Sequence, residues 1–150
     1  MPSTAFFFTL YTRERQPYLC RTHEIGLLRC SFQSAMQQLP FDLDAVCVLP
    51  DHLHCIWTLP DGDTDFATRW RLILSHFARD YRGETYPWEQ EYQVRRLEAQ
   101  QQSHHMDYIH FDPVKHGYCQ RSIDWPWSSF HAYVRRGVYD PEWGEHIELA

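Results

Sequence analysis

The sequence predicts an α+β fold: a ferredoxin-like β-α-β-β-α-β antiparallel sheet with an added C-terminal helix that carries a tyrosine. Three observations predict it. Strand-like and helix-like hydrophobic periods alternate in that order over residues 6–97, and the Pro50-Asp51 turn joins two strand patterns directly, as an antiparallel hairpin requires. A further helical period then follows the last strand. At 150 residues the chain is expected to form a single domain, 1–150, large enough for a core without disulfides.

Residues 6–11 are rich in aromatic side chains and read as the first strand, followed by a polar turn through 12–17. Over 23–38 the apolar residues Ile25, Leu27, Leu28, Phe32 and Met36 recur at helical spacing, and Pro40 closes the run. Residues 41–49 alternate and then turn apolar, which predicts a strand buried on at least one face. Residues 52–59 return as its hairpin partner, and their place in the order makes that strand central in the sheet. Pro60-Asp61-Gly62-Asp63 is a turn, and Asp63 or Thr64 can cap a helix over 65–81. Phe66, Trp70, Ile73, Phe77 and Tyr81 form its apolar side; Arg69, Arg71, Arg79 and Arg82 read as a solvated face. A loop over 83–90 leads to a fourth strand at 92–97 and a third helix at 100–111, which Pro113 is expected to end or kink.

Composition narrows the function classes. No segment approaches the roughly 18 apolar residues of a membrane span. The apolar run at 5–11 is too short, and lacks a cationic lead, to serve as a signal peptide, so the protein is expected in the cytoplasm. Five cysteines without a C-x-x-C spacing argue against a thiolate zinc site or an oxidised scaffold, and Cys47 and Cys55 read as core residues. The formal charge of −6 gives no general support to a nucleic-acid partner, so any such contact must be a local patch. All but Lys115 of the fourteen basic residues are arginine, whose planar fork suits phosphates and base edges.

The chemistry concentrates in two stretches. In the second hairpin strand His52 and His54 point to one face, while Leu53, Cys55, Trp57 and Leu59 point to the other. One face can grip a divalent ion through neutral imidazoles while the other fills a core. Downstream, Tyr108 offers a hydroxyl that can attack phosphorus, and Asp112, four residues on, can supply a third metal ligand from the same helix face. A phenol is largely protonated at neutral pH, so it needs a base or the field of an ion to help it attack. Lys115 is placed to hold a phosphate. His104, His105, His110 and His116 read as surface or helix-end residues, Trp125 and Trp127 as anchors of the C-terminal segment, and the tail after Gly137 as a packed end or a cover for the site.

These stretches together resemble a family. Asp51-His52-Leu53-His54-Cys55-Ile56-Trp57-Thr58-Leu59-Pro60 is similar to the His-hydrophobe-His block of the single-tyrosine HUH transposases, specifically the REP-associated tyrosine transposases. Asp107–Gly117 resembles that family's D-Y-I-x-x-N-P-V-K-H-G block, and Asp124-Trp125-Pro126-Trp127-Ser128-Ser129-Phe130-His131 its D-W-P-[WF]-S-[ST]-F-H block. The resemblance implies a metal-dependent endonuclease and strand transferase that recognises hairpins of repetitive extragenic palindromes and cuts single-stranded DNA beside them. It implies Mg²⁺ or Mn²⁺ held by His52, His54 and the position of Asp112, and a 5′-phosphotyrosine bond at Tyr108, with Lys115 beside it. A bacterial protein, associated with the nucleoid when bound to DNA, is expected. It is expected as a monomer, a dimer being the alternative. Asp112 stands where the family usually has asparagine, and the family's aromatic-W-E-H run is missing around Tyr92-Gln93-Val94-Arg95. Two other readings follow: a hairpin-DNA binding protein with weakened catalysis, and a metal phosphoesterase that uses water in place of the tyrosine.

Overall fold

Four strands and four α-helices make up the structure, a computed structural model that describes residues 3–145. In chain order they are β1 (Thr4–Tyr11), α1 (Thr22–Gln38), β2 (Asp42–Val48), β3 (His52–Leu59), α2 (Phe66–Asp80), β4 (Gln93–Leu97), α3 (Gln102–Lys115) and α4 (Phe130–Arg135). The sheet order is β2-β3-β1-β4 with every neighbouring pair antiparallel, so β3 is indeed internal. This is the ferredoxin-like arrangement the sequence predicts, extended by α3 and α4.

The period of two along each strand divides the sheet into two faces. Phe6, Phe8 and Leu10 of β1 join Leu53, Cys55, Trp57 and Leu59 of β3 on one face, where α1 and α2 cover them. Trp57 lies at the centre of this core, stacked 4.4 Å from Trp70 and 4.1 Å from Phe41 between ring centroids. Truncating such a residue costs about 3–5 kcal/mol. The other face carries a smaller apolar cluster, Ala5, Ala45, Cys47, Ile56 and Leu97, sealed by Ile109 of α3. The tyrosine helix therefore lies on the opposite side of the sheet from the two core helices, over the face that holds His52 and His54.

Three local expectations need correction. The cap of α2 is Asp65, whose side chain accepts from Thr68 N at 3.1 Å, because Asp63 is already engaged by Arg69. Arg69 itself is buried, not solvated: its guanidinium donates to Asp63, to Asp65 O, and to the carbonyls of Leu39 and Pro40 that end α1. Nor does Pro113 break α3, which runs two residues further. A proline in the last turn forfeits only its own bond, to the Ile109 carbonyl. Beyond it the helix closes with Tyr118 N donating to Pro113 O and Gly117 N to Val114 O, a Schellman stop with Gly117 at φ +79°.

Candidate active site

His52 and His54 are fixed by the register of β3 against β1, which sets His54 opposite Thr9 and His52 opposite Tyr11. Both are buried, at 4% and 5% exposure. Because α3 continues through Pro113, Tyr108 and Asp112 share a helix face, and Asp112 is carried down onto the histidine pair. Its Oδ2 lies 3.0 Å from His52 Nε2 and 3.1 Å from His54 Nε2. The other oxygen, Oδ1, is buried without a hydrogen bond of good geometry, although the exposed His116 Nε2 approaches to 3.2 Å.

The outer ring nitrogens are held as well. His52 Nδ1 donates to Asp51 Oδ1 at 2.7 Å, since a carboxylate can only accept, and His54 Nδ1 meets the Thr9 hydroxyl at 2.8 Å. A hydroxyl can donate or accept, so Thr9 satisfies His54 in either tautomer. These partners set the protonation of the cluster. Burial pushes the His52 pKa down, but the hydrogen bonds to Asp112 and Asp51 outweigh it and the net direction is up. For His54 burial prevails over Asp112, and its pKa falls. Burial would raise the Asp112 pKa, yet the hydrogen bonds from both histidines hold it well below the usual carboxylate range. The site is thus an ionised carboxylate that accepts from both histidine rings.

The donor set fits a divalent ion. One ligand atom from each of His52, His54 and Asp112 can be chosen so that all three lie within 4.8 Å of one another. Ligands at right angles on an ion with bonds of about 2.1 Å stand about 3 Å apart. The two histidine–Asp112 distances match that spacing, and the unshared Oδ1 leaves the carboxylate a second coordinating oxygen. Outer partners such as Asp51 and Thr9 are the kind that orient imidazoles on a metal.

Tyr108 is 41% exposed, one helical turn before Asp112. Its ring stands edge-on to His54 at 5.6 Å and to Phe7 at 6.2 Å, and Lys115 Nζ lies 5.0 Å from its centroid. His52, His54, Tyr108, Asp112 and Lys115 therefore converge on one face of the sheet. Asp51 and Thr9 were not singled out; their signal lay in flanking the histidines, one in sequence and the other by strand pairing.

His110 departs from its expected surface position and is fully buried. Tyr139 donates its hydroxyl to Asp107 at 2.6 Å, which leaves its oxygen to accept from His110 Nδ1 at 3.1 Å. His110 Nε2 then accepts from the Ser129 hydroxyl at 2.7 Å, and Ser129 accepts from Val46 N at 2.9 Å. Every proton in this chain is assigned, with His110 neutral, and burial pushes its pKa down to about 4. Tyr139 and Trp143 pack on Phe130 of α4, and Trp143 also meets Phe111 of α3, so the described part of the tail is a packed end; residues 146–150 lie outside the described part. Trp125 donates from Nε1 to Val48 O, and Trp127 packs against the main core, so both anchor the segment before α4.

No family model matches the chain. The REP-associated tyrosine transposase of Escherichia coli strain K12 is 41% identical to it over 144 residues, covering 95% of this chain and 86% of that one. A solved structure of a REP-associated tyrosine transposase bound to a REP hairpin superposes with a TM-score of 0.88 at 34% identity, covering 100% of this chain and 95% of that chain. A Deinococcus radiodurans chain, at 15% identity and a TM-score of 0.54 over 73% of this chain and 90% of its own, shares the fold alone. A histidine pair on a central strand, faced by a tyrosine on the added helix of a ferredoxin-like sheet, defines a transposase-like class. Identity over nearly the whole length narrows that class, and the chain belongs to the REP-associated tyrosine transposases.

Proposed function

We propose that this protein is a metal-dependent endonuclease and strand transferase that cuts single-stranded DNA beside a palindromic-repeat hairpin through Tyr108. One observation carries the reading. Helix α3 holds Tyr108 edge-on to His54 and, one turn later, brings Asp112 against both histidines. Mg²⁺ or Mn²⁺ held by His52, His54 and Asp112 would draw charge from a non-bridging oxygen of the scissile phosphate.

Tyr108 Oη attacks phosphorus as the phenol gives up its proton, and the bond from phosphorus to the 3′ oxygen breaks. The departing strand takes up a proton and keeps a 3′-hydroxyl; the 5′-phosphate stays esterified to Tyr108. Attack by another 3′-hydroxyl reverses the step, so strand transfer needs no ATP. Lys115, with its ammonium beside the Tyr108 ring, steadies the phosphate. Because α3 packs on its own sheet through Ile109, the tyrosine acts within its own chain, and a single-domain monomer suffices. No helix among the described residues is long and apolar enough to cross a membrane, and the fitting setting is the bacterial nucleoid.

The carboxylate of Asp112 adds negative charge next to a scissile phosphate, and this favours a second reading as a hairpin binder with weakened catalysis. A labelled hairpin with single-stranded flanks, incubated with Mn²⁺ or EDTA and run on a denaturing gel, separates the two. The expected result is a Mn²⁺-dependent protein–DNA adduct that Tyr108→Phe abolishes. Native binding without adduct or cleavage transfers the conclusion to the binding reading, and cleavage that survives Tyr108→Phe transfers it to a water-using phosphoesterase.

A further inference from the structure

Helix α3 meets the sheet on one side and the C-terminal segment on the other, and the two contacts differ in kind. Toward the sheet, Ile109 enters a small apolar cluster with Ala45, Cys47 and Ile56, and Met106 packs at its margin. Apolar burial is non-directional, so it sets the depth of a helix better than its rotation about its own axis. The other side is directional. Successive helical residues stand about 100° apart, so His110 points about 200° away from both Tyr108 and Asp112, and Asp107 about 100° away from Tyr108. The Tyr139 hydroxyl holds both of them, donating to Asp107 Oδ1 at 2.6 Å and accepting from His110 Nδ1 at 3.1 Å.

The far end of this chain of bonds is anchored in the sheet. Ser129 donates its hydroxyl to His110 Nε2 at 2.7 Å and is fastened twice to the edge strand β2: its amide donates to Val46 O at 2.8 Å, and its hydroxyl oxygen accepts from Val46 N at 2.9 Å. Tyr139 is itself buried, its ring packed on Phe130 and Trp143, so its hydroxyl is delivered from a fixed position. A continuous path of hydrogen bonds therefore leads from a backbone amide of the sheet to the residue just before Tyr108. We propose that Tyr139 is a positioning residue for strand cleavage: with His110 and Ser129 it fixes the rotation of α3, and so the place of the Tyr108 hydroxyl over the histidine face. The inference rests on the proposed role of Tyr108 as the nucleophile. Side chains reach about 5–6 Å from a helix axis, so a rotation of about 10° moves such a hydroxyl by about 1 Å. A misplacement of about 1 Å can cost about 100-fold in rate. Asp112 is less sensitive to this rotation, because its carboxylate is tied directly to both histidines, whereas Tyr108 meets His54, Phe7 and Lys115 through its ring.

Single-turnover adduct formation on flanked hairpin DNA in Mn²⁺ tests the role, measured beside hairpin affinity in EDTA and Mn²⁺ affinity by calorimetry. Tyr139→Phe keeps the ring packing and removes only the hydroxyl. It is expected to slow adduct formation about 10-fold or more while each affinity moves less than about 2-fold. Ser129→Ala is expected to follow it, and Ser129→Thr, which keeps a hydroxyl at that position, to hold the rate within about 3-fold of wild type. An adduct rate in Tyr139→Phe within 2-fold of wild type would overturn the assignment, as would a loss of rate matched by an equal loss of hairpin or Mn²⁺ affinity, the mark of general disruption. If wild type forms no adduct, the role of Tyr108 fails first, and amide hydrogen exchange then decides whether the network anchors the helix. Tyr139→Phe is expected to speed exchange across α3 at least 10-fold while β3 keeps its protection; equal exchange of α3 in the two proteins would remove the anchoring as well.

Discussion

Asp112 Oδ2 lies 3.0 Å from Nε2 of His52, a residue sixty positions earlier in the chain. The contact exists because α3 crosses the sheet face that α1 and α2 leave free, and because the helix does not stop at its proline. The opposite nitrogen of the same ring is tied to Asp51, so one imidazole is clamped between two carboxylates. A ring held at both ends keeps its orientation whether or not an ion is bound, which is the preorganisation a metal site needs.

Asp51→Asn is therefore expected to weaken divalent-ion binding without touching a ligand atom. Loss of an outer carboxylate partner of a ligating histidine typically costs about 10–100-fold in metal affinity. Calorimetric titration with Mn²⁺ measures it directly. A change of less than 3-fold would show that Asp51 orients nothing.

The buried chain through His110 predicts a pH dependence of stability. Folding lowers the pKa of His110 from 6.5 to about 4, so between those values the unfolded state binds a proton that the folded state refuses. Stability from this group is present above pH 6.5 and falls as the pH drops, by about 3 kcal/mol at pH 4, levelling off as the pH passes below that. Chemical denaturation of wild type and His110→Gln across pH 4–7.5 isolates the contribution, because the other histidines are common to both. Parallel pH profiles for the two proteins would contradict it.

Which parts of this molecule were legible in the sequence follows from the range of the interactions. A strand's period of two put His52 and His54 on one face and Trp57 on the other, and a helix's i to i+4 spacing joined Tyr108 to Asp112; both are local rules. Pro113 misled because the rule against helical proline concerns helix interiors, and the chain ends α3 within three residues of it. Arg69 and His110 were misread for a different reason. Arg69 has local partners in Asp63 and Asp65, but the Leu39 and Pro40 carbonyls, like Ser129 and Tyr139 for His110, lie 19–30 residues away, beyond any local pattern. Charge patterning can show that an arginine sits on a helix, but not that a second helix will end beneath it.

Arg69→Met tests the buried arginine as a structural clamp. Methionine fills much of the volume but leaves the Leu39 and Pro40 carbonyls without their donor and the Asp63 carboxylate without its ion pair. A hydrogen bond from a charged donor is worth about 1.5–3 kcal/mol, and water can replace part of it at the half-buried Leu39 and exposed Pro40, so a loss of about 3 kcal/mol is expected in urea denaturation. The conservative Arg69→Lys should recover little, since an ammonium cannot reproduce the fork that reaches two carbonyls and a carboxylate together. A loss under 1 kcal/mol for methionine would mean that water replaces the guanidinium at no cost.

Gly117→Ala isolates the stop that allows α3 to end just after Lys115 and His116. The backbone there has φ +79°, and a Cβ added at this position meets nothing within 4 Å, so the penalty comes from conformation alone. A left-handed alanine costs about 1–2 kcal/mol relative to glycine. Global stability is expected to drop by about that amount, or the last turn of α3 to fray in its place. The two responses are distinguishable by hydrogen exchange at the amides of His116, Gly117 and Tyr118, which donate to Asp112, Val114 and Pro113. Fraying would loosen Asp112 and lower Mn²⁺ affinity with little change in the denaturation midpoint, whereas a lowered midpoint with native protection would mean that the turn holds its shape under strain. Unchanged midpoint, exchange and metal affinity together would rule out a requirement for glycine at this position.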